Sequence, residues 1–189
     1  MQRKKETLIA MIECGIMAAL AAVLSGIRIY HLPLGGSVTL LSMLPTAVFS
    51  VRRGGKWGLT AGFLQALIQL AMEFGEVIGW GLTPAALAAC VLLDYLLAFT
   101  VIGLAGILRS RGRWGMVTGT GIALFLRFLC HLISGVVIFD IWLPEGWDNV
   151  FLYSVVYNGS FMLPELIFTA AAMLILTKTA AFRAVLKRF

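Results

Sequence analysis

Charged residues are scarce in this chain, and their scarcity excludes most soluble folds. Only 13% of the 189 residues are Asp, Glu, Lys or Arg, whereas 60% are hydrophobic, and the mean hydropathy is +0.95. These values lie far outside the range of ordinary soluble domains. Apolar runs recur along the whole length and leave room for about six spanning helices of roughly 20 residues each. The sequence therefore predicts one polytopic membrane domain over residues 1–189, an all-α bundle of six transmembrane helices.

Cysteine is also sparse, and several catalytic motifs are missing. The three cysteines are odd in number, lie in apolar segments and lack a CxxC spacing: Cys14, Cys90 and Cys130. A disulfide framework or a thiolate metal site is therefore not expected. No GxxxxGK[ST] motif occurs, and MVTGTG at 116–121 lacks the lysine that would hold phosphates. We expect no nucleotide hydrolysis by this chain.

An intramembrane serine protease is likewise disfavoured. Ser134 lies in LISG, without the leading glycine of a GxSG motif, and it is only three residues from His131 on one helix. The chain has no HExxH motif and no paired DxxxD motif. We therefore expect a protein that is not an enzyme and that has neither a metal site nor a cofactor.

Six apolar segments are predicted to be membrane helices. They cover residues 6–28, 38–51, 57–73, 84–108, 115–139 and 149–177. The second is the shortest and contains Pro45, so we expect either a kink or an incomplete crossing of the bilayer.

Basic residues are concentrated in alternate connections. Thirteen of the 15 Lys and Arg residues lie before the first segment, between the second and third, between the fourth and fifth, or after the sixth. The group after the sixth segment includes Lys187 and Arg188. The opposite connections carry acidic residues: Glu73, Glu76, Asp140, Glu145 and Asp148. Because Lys and Arg in short loops stay on the cytoplasmic side, both termini are predicted to be cytoplasmic. The net charge of +6 reflects this topology and the anionic inner leaflet, and it gives no reason to expect nucleic acid binding.

A layer of polar residues interrupts three of the predicted helices. An ionisable side chain at the centre of a span costs about 2.5–3.5 kcal/mol on insertion scales, so it needs a partner, a cavity or a function. At about 1.5 Å per residue, Asp94, His131 and Asn158 lie roughly 12–15 Å from the outer surface, and Tyr153 lies about 6 Å from it. The common depth favours a ligand pocket in the outer half of the bundle.

The fifth segment presents this layer on a single face. Arg127, His131 and Gly135 are spaced i, i+4 and i+8. The alternative to a pocket is an ion pair of Asp94, Arg127 and His131 that only fixes the register of the helices. We assign no ligand role to three further residues: Glu13 and Arg28, which are expected to face interfacial water, and Glu165, which follows Pro164.

Four stretches resemble the thiamine-specific S-components of energy-coupling factor (ECF) vitamin importers. They are GIMAALAAVLS at 15–25, LPTAVFSVRRG at 44–54, LLDYLLAFTVIGLAGILRS at 92–110, and FLRFLCHLISG at 125–135 with YSVVYNG at 153–159. The resemblance implies a six-helix binding subunit of the bacterial plasma membrane, with a pocket that opens outward. Its implied partners are thiamine, the lipid bilayer, an ECF coupling membrane subunit and two ATPase subunits. Thiamine would be the transported ligand and not a cofactor.

The resemblance also implies a set of site residues. They are Asp94, Tyr95, Arg127, His131, Gly135, Phe139, Tyr153 and Asn158. Asp94 would meet the thiazolium or the aminopyrimidine, Asn158 and Tyr95 would bond the pyrimidine edge, and His131, Phe139 and Tyr153 would supply ring faces. The alternatives are an S-component for another small vitamin or precursor, and a membrane scaffold protein without transport function.

This chain departs from the family pattern at four positions. Family members typically have Glu and Lys at the positions of Asp94 and Arg127, so the charge is the same here but the length of the side chain differs. They also have tryptophans near the positions of Gly36 and Phe139. We expect Tyr30 and His31, or Trp142, to replace the aromatic residue that the first loop lacks.

Small residues on the first helix form a candidate partner contact. In the family that this chain resembles, small residues of the first helix contact the coupling subunit, and the matching pair here is Gly15 and Ala19. Their GxxxA spacing permits close approach of two helices. The alternative is ordinary packing inside the bundle.

Overall fold

The computed structural model describes residues 2–186 and shows a predominantly helical chain. Its helices are α1 (Gln2–Ser25), α2 (Leu44–Arg53), α3 (Gly55–Gly79), α4 (84–106), α5 (Gly112–Val137), α6 (Val150–Lys178) and α7 (Ala180–Leu186). Its two strands are β1 (Arg28–His31) and β2 (Ser37–Thr39). The predicted all-helical membrane class is confirmed, with one small hairpin that was not predicted. Lys187 and Arg188 of the predicted topology lie outside the described residues.

The second predicted segment is divided between a strand and a short helix. Its first residues form β2, which pairs antiparallel with β1 around a turn where Gly35 has a φ of +91°. The 10 residues of α2 span only about 15 Å, half the thickness of the hydrocarbon core. Pro45 lies in the first turn of α2, where no backbone N–H is needed, so it causes no kink. The prediction of a helix over 38–51 is thus wrong at its start, and α2 by itself is too short to cross the bilayer.

The fourth helix changes its winding along its length. It begins as an α-helix at Pro84–Cys90, widens into a π-helix at Val91–Leu97, and tightens to a 3-10 helix at Val101–Gly106 after one further α turn. π-helical turns are rare and frequently accompany functional sites. Asp94 and Tyr95 both lie in the π-helical turn.

Helices α4 and α5 form an antiparallel hairpin. Asp94 bonds His131 near the open end, whereas Gly119 lies against the carbonyl of Ala105 nearer the turn. Gly112, with a φ of +71°, begins the returning helix. The long apolar stretch Pro84–Val137 therefore consists of two antiparallel helices. The other helices long and apolar enough to cross a membrane are Gln2–Ser25, Gly55–Gly79 and Val150–Lys178.

The basic clusters of the described chain gather at one end of the bundle, which we name the basic end. Glu13 of α1 pairs with Arg52 at 2.9 Å and Arg53 at 2.6 Å at the end of α2. Arg109, in the turn between α4 and α5, donates to the carbonyl of Arg52 at 3.1 Å. Lys178 reaches the same end because α6 runs antiparallel to α5. The assignment of this end to the cytoplasm stays a prediction.

Helix α3 extends further than the sequence predicted. It continues to Gly79, so Glu73 and Glu76 lie within the helix and not in an outer connection. Glu13 and Arg28 also differ from expectation, because both form ion pairs and do not simply face water.

Candidate functional site

A cavity of about 110 Å³ lies at the end of the bundle opposite the basic end. We name this the cavity end. Its wall includes the β1–β2 hairpin and parts of α1, α3, α4, α5 and α6. All eight predicted site residues line it: Asp94, Tyr95, Arg127, His131, Gly135, Phe139, Tyr153 and Asn158. Residues separated by as many as 64 positions, from 94 to 158, thus meet at one place. The depth argument had placed four of them in one layer: Asp94, His131, Tyr153 and Asn158.

Asp94 is the centre of a hydrogen-bonded chain across α4 and α5. Its Oδ1 lies 2.8 Å from His131 Nδ1, and its Oδ2 accepts a hydrogen bond from the Ser134 hydroxyl. Arg127 Nε donates to His131 Nε2 at 3.2 Å. Because Nε2 is an acceptor, the proton of a neutral imidazole is on Nδ1, and His131 donates it to Asp94.

The predicted ion-pair alternative and the predicted pocket therefore coincide. The linkage of Asp94, His131 and Arg127 joins two helices, and the same three side chains line the cavity. No Ser-His-Asp catalytic arrangement results, because Ser134 donates to Asp94 and the second nitrogen of His131 is taken by Arg127.

Arg127 is held in an interior position by an aromatic ring. It is buried, and its guanidinium carbon lies 3.9 Å from the centroid of the Phe99 ring. A desolvated cation over an aromatic face gains on the order of 2 kcal/mol. This contact holds the guanidinium at the wall of the cavity, beside His131.

Gly135 allows α5 and α6 to approach closely. A methyl group at this position would lie 2.2 Å from Ser154 Oγ and 3.1 Å from Asn158 Nδ2. Asn158 Nδ2 donates to the carbonyl of His131 at 3.2 Å, which a larger residue in place of Gly135 would prevent. The predicted gap on this face of α5 is confirmed, and it is filled by side chains of α6.

Glu73 was missed as a site residue. It lines the cavity and joins three groups: Arg28 Nη2 at 2.7 Å, Gln69 Nε2 at 2.7 Å and the Tyr95 hydroxyl at 3.0 Å. A signal for it was present in the sequence, since Gln65, Gln69 and Glu73 are spaced i, i+4 and i+8 in an apolar helix. That stripe indicates a polar face directed into the bundle.

The aromatic part of the wall includes a tryptophan that was not predicted. Trp80 lies edge-on to Phe139 at 5.7 Å between ring centroids, and its ring atoms come within 3.1 Å of where a Gly35 Cβ would be. Tyr30 and His31 are exposed and are not part of the cavity wall. Trp80, and not a residue of β1, therefore supplies the aromatic surface beside the first loop.

The position of Gly36 explains why an aromatic side chain is absent there. A methyl group on Gly36 would lie 2.9 Å from the ring of Phe161, and the Gly36 N–H donates to the Tyr157 oxygen at 3.3 Å. The Tyr157 hydroxyl in turn donates to the carbonyl of Pro33. The first loop is thus packed directly on α6.

Glu165 holds the end of the first loop at Thr39. It is fully buried, and its Oε1 accepts from the Thr39 backbone N–H at 2.5 Å and from the Thr39 hydroxyl at 2.6 Å. Thr39 Oγ1 and Ser42 Oγ are 2.6 Å apart. Thr39 and Ser42 line the cavity, whereas Glu165 acts on it through them.

Gly15 and Ala19 lie on the outside of the bundle. Both are exposed, and no atom of residues 2–186 lies within 4 Å of a methyl group placed on Gly15. The buried face of α1 consists of other small residues: Ala10, Cys14, Ala18, Ala21 and Ser25. Packing inside the chain therefore does not account for the GxxxA pair.

The chain is similar to thiamine transporters over nearly its whole length. A family model described as thiamine transporter protein (Thia_YuaJ) matches residues 11–184. Thiamine transporter ThiT of Bacillus subtilis (strain 168) is 35% identical over 192 residues, which cover 94% of each chain. Thiamine transporter ThiT of Lacticaseibacillus paracasei is 28% identical and covers 95% of this chain and 92% of its own. A solved structure of ThiT from Listeria monocytogenes is 26% identical, with a TM-score of 0.75 over 96% of this chain and 98% of that chain.

Proposed function

The chain belongs to the thiamine transporter protein family, and we propose that it is the thiamine-binding S-component of an ECF-type vitamin importer. It is a membrane transport protein and not an enzyme. In this proposal it captures thiamine from outside the bacterial cell in the cavity at the end opposite the basic end. In this proposal thiamine is the transported ligand and not a cofactor.

The observation that carries the proposal is the composition of the cavity wall. Two carboxylates, Asp94 and Glu73, lie in a wall that also contains aromatic rings and neutral polar groups, with Arg127 as a buried cation. Thiamine is a cation with two flat heteroaromatic rings. Carboxylates and ring faces are the groups that stabilise such a ligand away from water.

We assign roles to the wall residues on chemical grounds. Asp94 faces the positive thiazolium or the aminopyrimidine, and His131 and Arg127 hold its carboxylate in place. Tyr95 and Asn158 bond the pyrimidine edge. Ring faces come from His131, Phe139 and Tyr153, and Gly135 lets Asn158 reach its position.

Ligand quenching of tryptophan fluorescence in detergent-purified protein tests the binding function. The chain has five tryptophans, and Trp80 lies in the cavity wall. We expect saturable quenching by thiamine that is mostly lost in Trp80→Phe. Trp114→Phe is the matched control, because Trp114 is exposed in the first turns of α5 at the basic end.

The same screen separates the alternatives. Saturation by another vitamin or a precursor, and not by thiamine, would support an S-component of different specificity. Protein that folds normally and binds no vitamin would support a scaffold function.

Transport needs partners in this proposal. The sequence has no nucleotide-binding motif, so accumulation against a gradient requires two ATPase subunits and a coupling membrane subunit. The exposed pair Gly15 and Ala19 is our candidate contact with the coupling subunit, since small residues permit close helix approach. The purified chain in proteoliposomes should not concentrate thiamine by itself. Accumulation driven by a proton or sodium gradient would identify a secondary transporter instead.

A further inference from the structure

The hydrogen bonds of Glu73 determine what kind of ligand group its side of the cavity can accept. Arg28 Nη2 and Gln69 Nε2 both donate to Glu73 Oε1 at 2.7 Å, and the Tyr95 hydroxyl lies 3.0 Å from Oε2. A carboxylate paired with a guanidinium is ionised and has only acceptor atoms. All three neighbours therefore act as donors toward Glu73.

This arrangement leaves acceptor atoms on Tyr95 and Gln69. Tyr95 has a single hydroxyl proton, which it donates in the hydrogen bond to Glu73. The phenolic oxygen can therefore only accept a further hydrogen bond. Rotation of the Gln69 amide would bring its oxygen against the carboxylate, so the amide orientation is fixed as well. Gln69 Oε1 is buried and has no hydrogen-bond partner among residues 2–186, and both residues line the cavity.

Asn158, another amide of the cavity wall, is oriented in the same way. Its Nδ2 donates to the backbone carbonyls of His131 at 3.2 Å and Ser154 at 3.0 Å. Carbonyl oxygens only accept, so they fix the orientation of this amide. The Oδ1 atom of Asn158 remains as an acceptor.

We propose that Glu73 is a positioning residue which makes the cavity select a ligand amino group over a carbonyl oxygen at the same place. The inference rests on the proposed function, because thiamine has a 4-amino group on its pyrimidine ring. An amino group can donate to the acceptor atoms of Tyr95 and Gln69. A carbonyl oxygen there would face those atoms with no proton between them, and a buried unpaired acceptor is costly.

Glu73→Gln reverses the polarity of Tyr95 while keeping side-chain size. Arg28 and Gln69 both donate at the Oε1 position, so the amide oxygen of the variant takes that position and its NH₂ group faces Tyr95. The Tyr95 oxygen then accepts from this NH₂ group. Its hydroxyl proton becomes available to the cavity, where it can bond a carbonyl oxygen.

The experiment compares thiamine with its 4-oxo analogue by titration calorimetry on the purified chain. We expect the wild type to bind thiamine about tenfold or more tightly than the analogue, and E73Q to reduce that ratio of Kd values by about tenfold. Tyr95→Phe should also reduce the ratio, and adding E73Q to Y95F should change the ratio no further. E76Q is the matched control, because Glu76 is exposed on the same helix and is not part of the cavity wall.

The Kd ratio separates specificity from structural support. A structural role of Glu73 would weaken both ligands equally and leave the ratio at its wild-type value, which would overturn the inference. An unchanged Kd ratio in Y95F would overturn the inference too. This second test remains valid if E73Q does not fold. A wild-type chain that binds neither ligand would refute the proposed function itself, whereas thiamine binding with unchanged ratios refutes only the role of Glu73.

Discussion

The two ends of the bundle are held together in different ways. At the basic end the helices touch backbone to backbone: a methyl group on Gly103 would lie 2.3 Å from the backbone of Gly58, and one on Gly106 would lie 2.3 Å from the carbonyl oxygen of Ser50. At the cavity end, long side chains bond one another across a gap, as Asp94 and His131 do. Without a hydrophobic driving force between helices in lipid, both close packing and polar bonds can hold them.

The difference shows where the bundle can leave space for a ligand. Backbone contact at the basic end brings α2, α3 and α4 together and needs no side chain to fill the interface. The polar bonds of the cavity end fix the helices without filling the volume between them. A cavity near one surface is therefore compatible with a stable bundle, because the opposite end supplies the close packing.

Gly103→Ala should have the largest effect, because it disrupts helix packing at the basic end. The added methyl group overlaps the Gly58 backbone, so we expect a loss of about 3 kcal/mol or more in the free energy of unfolding. Thermal unfolding in detergent measures it. Gly121→Ala is the control, since no part of the described chain lies within 4 Å of its added methyl group and a helical Gly to Ala change stabilises by at most about 1 kcal/mol. Equal unfolding midpoints would contradict the backbone contact.

Asp94→Asn should lower the affinity of the cavity for thiamine without preventing folding. We expect thiamine affinity to fall by about 1.5–3 kcal/mol, the scale of a hydrogen bond to a charged group. Calorimetry measures the affinity, and the variant should still fold. Asp140→Asn removes an exposed carboxylate just beyond α5 and should leave affinity unchanged. If the affinity of the Asp94 variant is unchanged too, Asp94 does not belong to the binding site.

His131→Ala decides whether the cavity-end network serves the ligand or only the helix register. We expect thiamine affinity to decrease by about 1–2 kcal/mol, because a ring face and the bond that orients Asp94 are lost. The control is His31→Ala, which changes an exposed histidine of β1. A low folded yield, together with wild-type affinity in the protein that does fold, would show that His131 has a structural role only.

Replacing Gly15 and Ala19 together with Leu should have the smallest effect on binding. Both positions are exposed, so thiamine affinity should change by less than about 0.5 kcal/mol. ATP-driven uptake in proteoliposomes with the coupling and ATPase subunits should fall, because the added bulk prevents close helix approach. Gly159→Leu, an open position on α6, is the control for added bulk. Normal uptake by the double variant would remove this face as the partner contact.

The depth argument succeeded because helical rise is the same in any sequence. Counting residues from the outer ends of three apolar segments placed Asp94, His131 and Asn158 in one layer, and the structure joins them around a single cavity. Glu73 was not included in this layer, because the third segment was predicted to end at residue 73. Gly75 follows two residues later, yet α3 continues through both residues to Gly79.

The sequence by itself determined the membrane class, the one-sided distribution of basic residues and the place of Asp94, His131 and Asn158 in one polar layer. These follow from composition and from periodicities that act along the chain. Only the tertiary structure decided that Trp80 lies against the first loop at Gly35, that α4 widens at Asp94, and that Glu73 accepts hydrogen bonds from Tyr95 and Gln69. The physical reason is that hydrogen-bond direction depends on pairs of atoms a few ångströms apart, and residues as distant as Glu73 and Tyr95 become such pairs only when their helices pack.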